Sequence, residues 1–385
     1  MKTGWDTMPL GDVCPISNRK PEVFTGLRRY FSTGAVGSEG ELSEPDLVDY
    51  ANRPSRAGCM PEVGDIGFAR MKGTKKVILI DSSLKGSLFS TGFCFVTPRS
   101  NVESRYAFYF LTSDNFQSQK DDVAGDGIMG GVRNSHAAAI GMPLPTLAEQ
   151  QRIVGLLDDV FQGLAVAKAS AEKNLENARS LFKSQLQVVF SRRGRGWVDR
   201  RLDAIAEFSQ GIQVGLGDQS STPITGMVRF IRIIDYTQGT DDIRYVPDPG
   251  PRYWADRSDI VMVRYGSPGL VGRGIEGVIA NNLFKISIRD DSLTNDFLAY
   301  FLGQETVQKF LSSQGSSTMP ALTFKQLGAV VVSFPHEIEQ QNEIVTKLDS
   351  FRQETQRLTH LYERKLAALE DLKKTLLHQA FNGEL

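Results

Sequence analysis

Apolar positions follow two rhythms along this chain. Short β-rich runs such as Val77-Ile78-Leu79-Ile80, Phe93 to Val96, Val228 to Ile234 and Val278 to Ile288 sit among Gly and Pro breaks, which predicts strands separated by turns. A helix is predicted over Ser104 to Thr112, with a copy over Thr294 to Leu302. The second rhythm is longer. From Val154, apolar residues return at about 3.5 spacing as Leu157, Phe161, Leu164, Ala171, Leu175, Ala178, Phe182 and Val189, with Lys168 and Gln185 as interruptions. From Ile344 the same stripe reads Leu348, Phe351, Leu358, Tyr362, Leu369, Leu372 and Leu376, interrupted by Thr355 and Lys365. This regularity favours a coiled-coil seam over the alternative, two amphipathic helices lying on a domain core. Pro145 and Pro335 precede the stripes, and a helix interior excludes proline. Gly194 and Gly196 follow the first stripe and Gly383 follows the second. About 40 residues at 1.5 Å each give a rod of roughly 60 Å, or about 18 base-pair steps of DNA.

The pattern occurs twice. Trp5 with Leu10 returns as Trp197 with Leu202 at an offset of 192, and Asp65-Ile66 with Arg70 as Asp259-Ile260 with Arg264 at 194. Tyr109-Phe110-Leu111 with Gln117 returns as Tyr300-Phe301-Leu302 with Gln308 at 191, and Gly125 with Met129 as Gly315 with Met319 at 190. Glu149-Gln150-Gln151 with Phe161 matches Glu339-Gln340-Gln341 with Phe351 at 190, while 191 pairs Ile153-Val154 with Ile344-Val345. Ordered matches at nearly one offset indicate a diverged tandem duplication. The expected fold class is α+β. Mixed globular segments 1–145 and 195–335 are separated by helical segments 146–194 and 336–385. Antiparallel pairing of the helices would give a pseudo-twofold tandem repeat, with one globular domain at each end.

Composition narrows the class. The chain has 385 residues, 41% hydrophobic and 23% charged, as in ordinary globular proteins. No apolar run approaches the ~18 residues that span a bilayer, so no membrane partner is expected. Residues Met1 to Leu10 carry no apolar signal core. Cys14, Cys59 and Cys94 are odd in number and scattered, which argues against a disulfide framework and for a reducing cytoplasm. The net charge of -1 argues against a strongly basic nucleic-acid coat and leaves room for local patches.

Basic residues do cluster with aromatics: Arg28-Arg29-Tyr30-Phe31, then Lys72, Lys75 and Lys76, then Arg229-Phe230 with Arg232, then Arg264-Tyr265 with Arg273. Each cluster can be a solvated surface or a set of ion pairs. Their presence in both copies is the case for a nucleic-acid surface, since Arg can grip a guanine edge or a phosphate in two places.

Catalytic patterns are not found. Gly125 to Gly130 matches G-x-G-x-x-G, but no strand leads into it and its copy, Gly315 to Pro320, lacks the later glycines. Both read as turns that place polar side chains near a ligand or a helix start. Gly266-Ser267-Pro268-Gly269 is either a flexible DNA-contacting loop or a plain hairpin turn. His136, His336, His360 and His378 lack zinc spacing. There is no G-x-S-x-G and no Asn-Pro-Pro-aromatic motif, and Glu363-Arg364-Lys365 reads as helix surface.

Two regions carry a family resemblance. Pro143-Leu144-Pro145 followed by Leu147-Ala148-Glu149-Gln150-Gln151-Arg152-Ile153-Val154 resembles the conserved region of type I restriction-modification specificity subunits. Phe334-Pro335 to Glu339-Gln340-Gln341 and Ile344-Val345 is similar, and so is the tail from Leu376 to Leu385. The resemblance implies that 1–145 and 195–335 are target recognition domains, each reading half of a bipartite, asymmetric double-stranded DNA site. It implies that the helices set the gap and dock two methyltransferase (M) subunits, which hold S-adenosylmethionine and methylate adenine. Two restriction (R) subunits using ATP and Mg would complete the complex, with no cofactor, metal or active site in this chain.

The expected DNA contacts are Arg28, Arg29, Tyr30, Lys72, Lys75 and Lys76 in the first domain. In the second they are Arg229, Arg232, Arg264, Tyr265, Ser267 and Arg273, with Ser317 and Thr318 as polar contacts. Glu149, Gln150, Gln151, Glu339, Gln340 and Gln341 are the expected partner-docking residues, unless they only start and cap the helices. The alternatives are the specificity subunit of a related system that cuts both sides of its target, a diverged nuclease or methyltransferase, and a protein-binding coiled-coil scaffold.

Overall fold

The structure is a computed structural model and describes residues 5–17, 19–38, 40–125, 130–238, 242–313 and 321–385. It divides into two compact units, Met1–Glu172 with Arg364–Leu385, and Lys173–Glu363. Each long helix, Leu147–Ser191 and Ile338–Asn382, is therefore shared between the units.

In the first unit one sheet runs in the order Ile16–Ser17, Phe93–Val96, Ile66–Ala69, Val77–Leu79, all antiparallel. A second runs Asp46–Val48, Arg28–Phe31, Leu88–Ser90, Ala57–Cys59, with the Arg28–Phe31 and Leu88–Ser90 strands parallel. Asp6–Pro9 pairs with Gly141–Leu144 as a separate ribbon. The second unit repeats this plan strand for strand. Its sheets are Ala206–Gln210, Leu283–Ile288, Ile260–Val263, Val271–Gly272, and Arg244–Pro247, Met227–Ile231, Gly277–Ile279, Trp254–Ala255. The parallel strand pair recurs between Met227–Ile231 and Gly277–Ile279, and the ribbon recurs as Trp197–Arg201 with Val331–Pro335.

Several expectations need correcting. The run Val228 to Ile234 is not one strand. It ends at Ile231, and Ile233–Thr237 is helical because the Asp235 carboxylate accepts the Arg232 N–H at 2.7 Å and starts a turn. Val278 to Ile288 is two strands, Gly277–Ile279 and Leu283–Ile288, split by a turn at Ala280 to Asn282. The helix over Ser104–Thr112 is as expected, and its copy is Asn295–Leu302 with Thr294 as its cap. Helices Asp114–Asp122 and Glu305–Ser313 were not anticipated.

Each unit's main core lies between its first-described sheet and its helices. In the first unit Phe381 packs on Tyr106 and Phe110, with ring centroids 5.2 and 5.5 Å apart. In the second, Phe190 packs on Phe297 and Phe301 at 5.3 and 5.5 Å. All three pairs of positions differ by 191 in number, so the end of one long helix completes one core and the end of the other completes its counterpart.

Within each unit the long-helix segments run antiparallel. In the first, Arg152 donates to the Leu385 carbonyl at 2.8 Å and Lys373 lies 5.5 Å from the Phe161 ring centre. In the second, Arg179 pairs with Glu363 at 2.8 Å, while Leu186 shares a core with Val345. The seam is narrower than the stripe suggests. Leu372 is 45% exposed, whereas Leu377, Ala380 and Phe381 are buried, so the apolar face shifts where the helix meets the sheet core.

Candidate nucleic-acid interface

The register of the repeat fixes what can be compared. Gln150 accepts the Glu103 N–H at 2.9 Å and donates to the Asn101 and Pro145 carbonyls at 3.1 and 2.9 Å. Gln341 accepts the Thr294 N–H at 2.9 Å and donates to the Ser292 and Pro335 carbonyls at 2.6 and 2.7 Å. The offset is therefore 191, and it is Gln150 and Gln341 that match, not Gln151. Both side chains are 0% exposed. This corrects the docking expectation for these two residues: their amides satisfy backbone groups where each long helix begins, and nothing of them reaches a surface. Gln151, Glu339 and Gln340 are exposed, and Glu149 is held by Arg152 at 2.8 Å.

The same logic binds Tyr109 to Asp158 and Tyr300 to Asp349, again 191 apart. Burial, reinforced by the neighbouring carboxylate, pushes each of these phenols up to about 12. Gln117 and Gln308 likewise donate to the Leu111 and Leu302 carbonyls, both at 2.7 Å.

The expected DNA contacts are scattered by comparison. In the first unit, Arg28 and Arg29 lie on the strand Arg28–Phe31. Arg28 sits 4.4 Å from the Phe24 ring centre and bonds the Met60 sulfur at 2.9 Å, while Arg29 donates to the Ser83 carbonyl. Tyr30 is buried in a small core; as a contact it is corrected, because its ring is covered by its own sheet. Lys75 pairs with Asp114 at 2.7 Å and Lys76 donates to the Thr33 carbonyl at 2.9 Å. Lys72 is exposed on the turn between Ile66–Ala69 and Val77–Leu79. A cavity of about 530 Å³ gathers Arg28 with Arg19, Lys85, Met60 and Glu62. Arg19 and Lys85 had no distinguishing signal in the sequence.

In the second unit, Arg229 and Arg232 flank the buried Asp235 carboxylate at 3.3 and 3.7 Å, and Arg232 also holds Asp242. Arg264 lies against the Phe284 ring at 5.8 Å. Arg273 pairs with Asp296, is 3.8 Å from Asp349 and lies over Tyr300 at 5.2 Å, so it tethers helices and does not join the others. Gly266-Ser267-Pro268-Gly269 is a hairpin turn, closed by Gly269 N–H to the Val263 carbonyl at 2.9 Å, with Ser267 exposed on it. Gly269 has φ +91°, and a Cβ there would lie 2.5 Å from the Gln308 amide oxygen. Ser317 and Thr318 lie outside the described residues, as do 126–129 and 315–320 of the two glycine-rich turns.

A second cavity, of about 430 Å³, brings Arg232 and Tyr265 together with Gln213, Gln219, Asn281 and Asn282. Sequence reasoning missed these four carboxamides. They lie on two segments far apart in number, brought side by side by the pairing of Ala206–Gln210 with Leu283–Ile288, the parallel bridge between Ile212 and Ala280 and the Gln210 bond to the Asn281 carbonyl at 3.0 Å. The first cavity gathers guanidinium and ammonium groups, with Arg19 held by Asp65 and Glu62, and the second, at a different position of the repeat, gathers carboxamides beside Arg232 and Tyr265. Both present hydrogen-bonding groups of the kinds that read base edges or hold phosphates.

Among the described residues no group of three His, Cys, Asp or Glu side chains is placed to hold a metal ion, and no helix is long and apolar enough to cross a membrane.

Comparison with known proteins agrees with the duplicated plan. A family model described as the type I restriction modification DNA specificity domain matches residues 2–176 and 252–368. The chain is 21% identical over 374 residues to the type I restriction enzyme StySPI specificity subunit of Salmonella potsdam, covering 90% of this chain and 80% of that protein. It is 24% identical over 281 residues to the EcoBI specificity subunit of Escherichia coli, covering 63% and 58%. Among solved structures, a chain from work on assembly and conformational transition of the type I R-M system superposes with a TM-score of 0.83 at 23% identity, covering 100% of this chain and 99% of that one. The HsdS subunit from Thermoanaerobacter tengcongensis gives 0.62 at 24% identity, covering 100% and 98%. At these identities the structural likenesses speak for the fold.

Proposed function

The chain belongs to the type I restriction-modification DNA specificity family, and we propose from that premise that it is the non-catalytic subunit that selects the DNA sequence of such a complex. Each unit reads one half of a bipartite, asymmetric site in double-stranded DNA. The long helices set the gap and dock two M subunits, which bring S-adenosylmethionine and methylate adenine. Two R subunits bring ATP and Mg for cleavage. This chain supplies no cofactor and no reacting group.

One observation carries the reading: a single scaffold is repeated, and the positions that line the second unit's groove hold different side chains in the first, Met71 and Thr91-Gly92 where Tyr265 and Asn281-Asn282 stand. Unlike grooves on like scaffolds suit unlike half-sites. Each base pair read correctly is worth about 1–3 kcal/mol over a mismatch, and covalent linkage makes the second engagement intramolecular. With a net charge of -1, phosphate attraction must come from local cations such as Lys72 or from partner subunits. A methylated base must leave the duplex stack, so the selecting subunit has to hold the DNA while another subunit reacts with it.

The test is to sequence modified bases in DNA from cells co-expressing this chain with a cognate M subunit. A split motif bearing methyl-adenine, lost when this chain is omitted, is expected. Stable co-purification without any such motif would instead favour a scaffold. Lys72→Glu should weaken binding to all sequences alike and lower the salt dependence of log K by about one unit.

A further inference from the structure

The groove of the second unit contains a relay of polar side chains that its own fold does not need. Tyr265 Oη donates to Asn281 Oδ1 at 3.2 Å, and Asn281 Nδ2 donates to Gln213 Oε1 at 3.2 Å. These bonds are at the surface; Gln213 is exposed and Tyr265 is 37% exposed. Unlike Gln150 or Gln341, they satisfy no backbone group of the core. Holding three such side chains together costs rotamer entropy and returns little in water. The structural result is a carboxamide fixed in orientation at the rim of an open groove.

The backbone beneath is firm. Gln210 donates to the Asn281 carbonyl at 3.0 Å, Ile212 N–H to the Ile279 carbonyl at 2.9 Å, and Arg264 N–H to the Asn282 carbonyl at 2.8 Å. Beside the relay, the Asn282 side-chain oxygen is buried without a hydrogen-bond partner among the described residues. The groove is therefore not a finished internal network.

The first unit provides an internal control. Its Arg70 N–H bonds the Gly92 carbonyl at 2.9 Å as Arg264 bonds Asn282, so Thr91-Gly92 stands where Asn281-Asn282 stands. Met71 follows Arg70 as Tyr265 follows Arg264. None of these replacements is a carboxamide. The scaffold evidently folds without the relay.

We propose that Gln213 reads the major-groove edge of an adenine in the half-site contacted by the second unit, and that Asn281 and Tyr265 position it. Gln213 Oε1 uses one lone pair for Asn281 and keeps the other for adenine N6–H, while its Nε2 donates to N7. A carboxamide is the side-chain group that matches this donor–acceptor pair on adenine. The adenine read in this way stays stacked, so it is distinct from any base withdrawn for methylation. The proposal rests on the sequence-selecting function above.

The experiment uses the full chain co-expressed with its M subunit, with modified-base sequencing as the readout and binding of the purified complex to a duplex of the wild-type motif alongside. The wild-type motif should hold an unmodified adenine in one half. Gln213→Ala should make that one position degenerate, leave the other half-site unchanged, and weaken binding by about five- to 150-fold. Gln213→Glu, which can only accept, should move the preference at that position towards cytosine. Tyr265→Phe and Asn281→Ala should relax the same position less, a restriction that a merely structural role would not produce. Gln213 is exposed, so an unchanged melting temperature should accompany these effects. A motif with no such adenine, or one that Gln213→Ala leaves intact, overturns the proposal while leaving the sequence-selecting function standing. A wild-type complex that yields no split motif overturns both.

Discussion

The two units share a sheet order, a parallel strand pair and a glutamine lock, yet differ at positions that line the second unit's groove. Where a side chain satisfies a buried backbone group, the copies agree: Gln150 with Gln341, Gln117 with Gln308. Where it lines the second unit's groove, they diverge: Asn281-Asn282 against Thr91-Gly92. Duplicated chains keep what folding requires and release what it does not. A position's agreement between copies therefore reports its internal duty, and its disagreement marks freedom to specialise.

The sharpest way to break this comparison is at the aromatic plugs. Phe381→Ala and Phe190→Ala should each destabilise their own unit by about 3–5 kcal/mol, measured by urea unfolding with hydrogen exchange resolving the two units. A loss in only one unit would show that the copies no longer share a core design. Next are the locks. Gln150→Ala and Gln341→Ala each leave two backbone carbonyls and one N–H without a protein partner, so about 2–4 kcal/mol is expected from each, within about 1 kcal/mol of the other. A large inequality would mean that the matched geometry hides unequal dependence.

The smallest effect concerns a difference between the copies. Lys120 is 0% exposed and donates to the Thr74 carbonyl at 2.7 Å, whereas the residue 191 further on is the buried Leu311. Burial lowers the Lys120 ammonium below its ordinary 10.5, against the nearby Asp121 carboxylate, which raises it. Between the lowered value and 10.5 the unfolded chain binds more protons at this group, so Lys120 contributes stability that grows as pH rises through that window. Lys120→Leu should remove this contribution and make the slope of the first unit's stability with pH less positive in that window. An unchanged slope would show that Lys120 is not its source.

Much of this organisation is legible in the sequence because aromatics and glutamines that pack or bond within each unit recur in both copies. Trp197, Tyr300 and Gln308 mark a repeat before any coordinates exist. The helix Asp114–Asp122 is not legible, because Phe116 is its only large apolar residue and its other buried positions are Gln117 and Lys120. Polar residues buried by partners distant in sequence leave no periodic trace. The basic clusters mislead for a related reason. Arg229, Arg232 and Arg273 look available in the sequence, but carboxylates at Asp235, Asp242 and Asp296 engage them. The relay from Tyr265 to Gln213 joins positions 52 apart in number through a bridge that local patterns do not reveal. Family resemblance identifies the scaffold and is silent on the groove, where the two copies within the chain already differ.

The seating of Phe381 on Tyr106 and Phe110 has a consequence in time. A ribosome makes the sheets of the first unit early, but their core is closed by Leu377, Ala380 and Phe381. At about 5–20 residues per second, the interval from Phe110 to Phe381 is roughly 14–54 seconds of synthesis. Throughout it, the first unit to emerge waits with its hydrophobic floor uncovered. The second unit receives its plug, Phe190, before its own sheets are made. The half that is born first is thus finished last, and a nascent chain stalled short of residue 377 would carry an exposed core at its beginning, not its end.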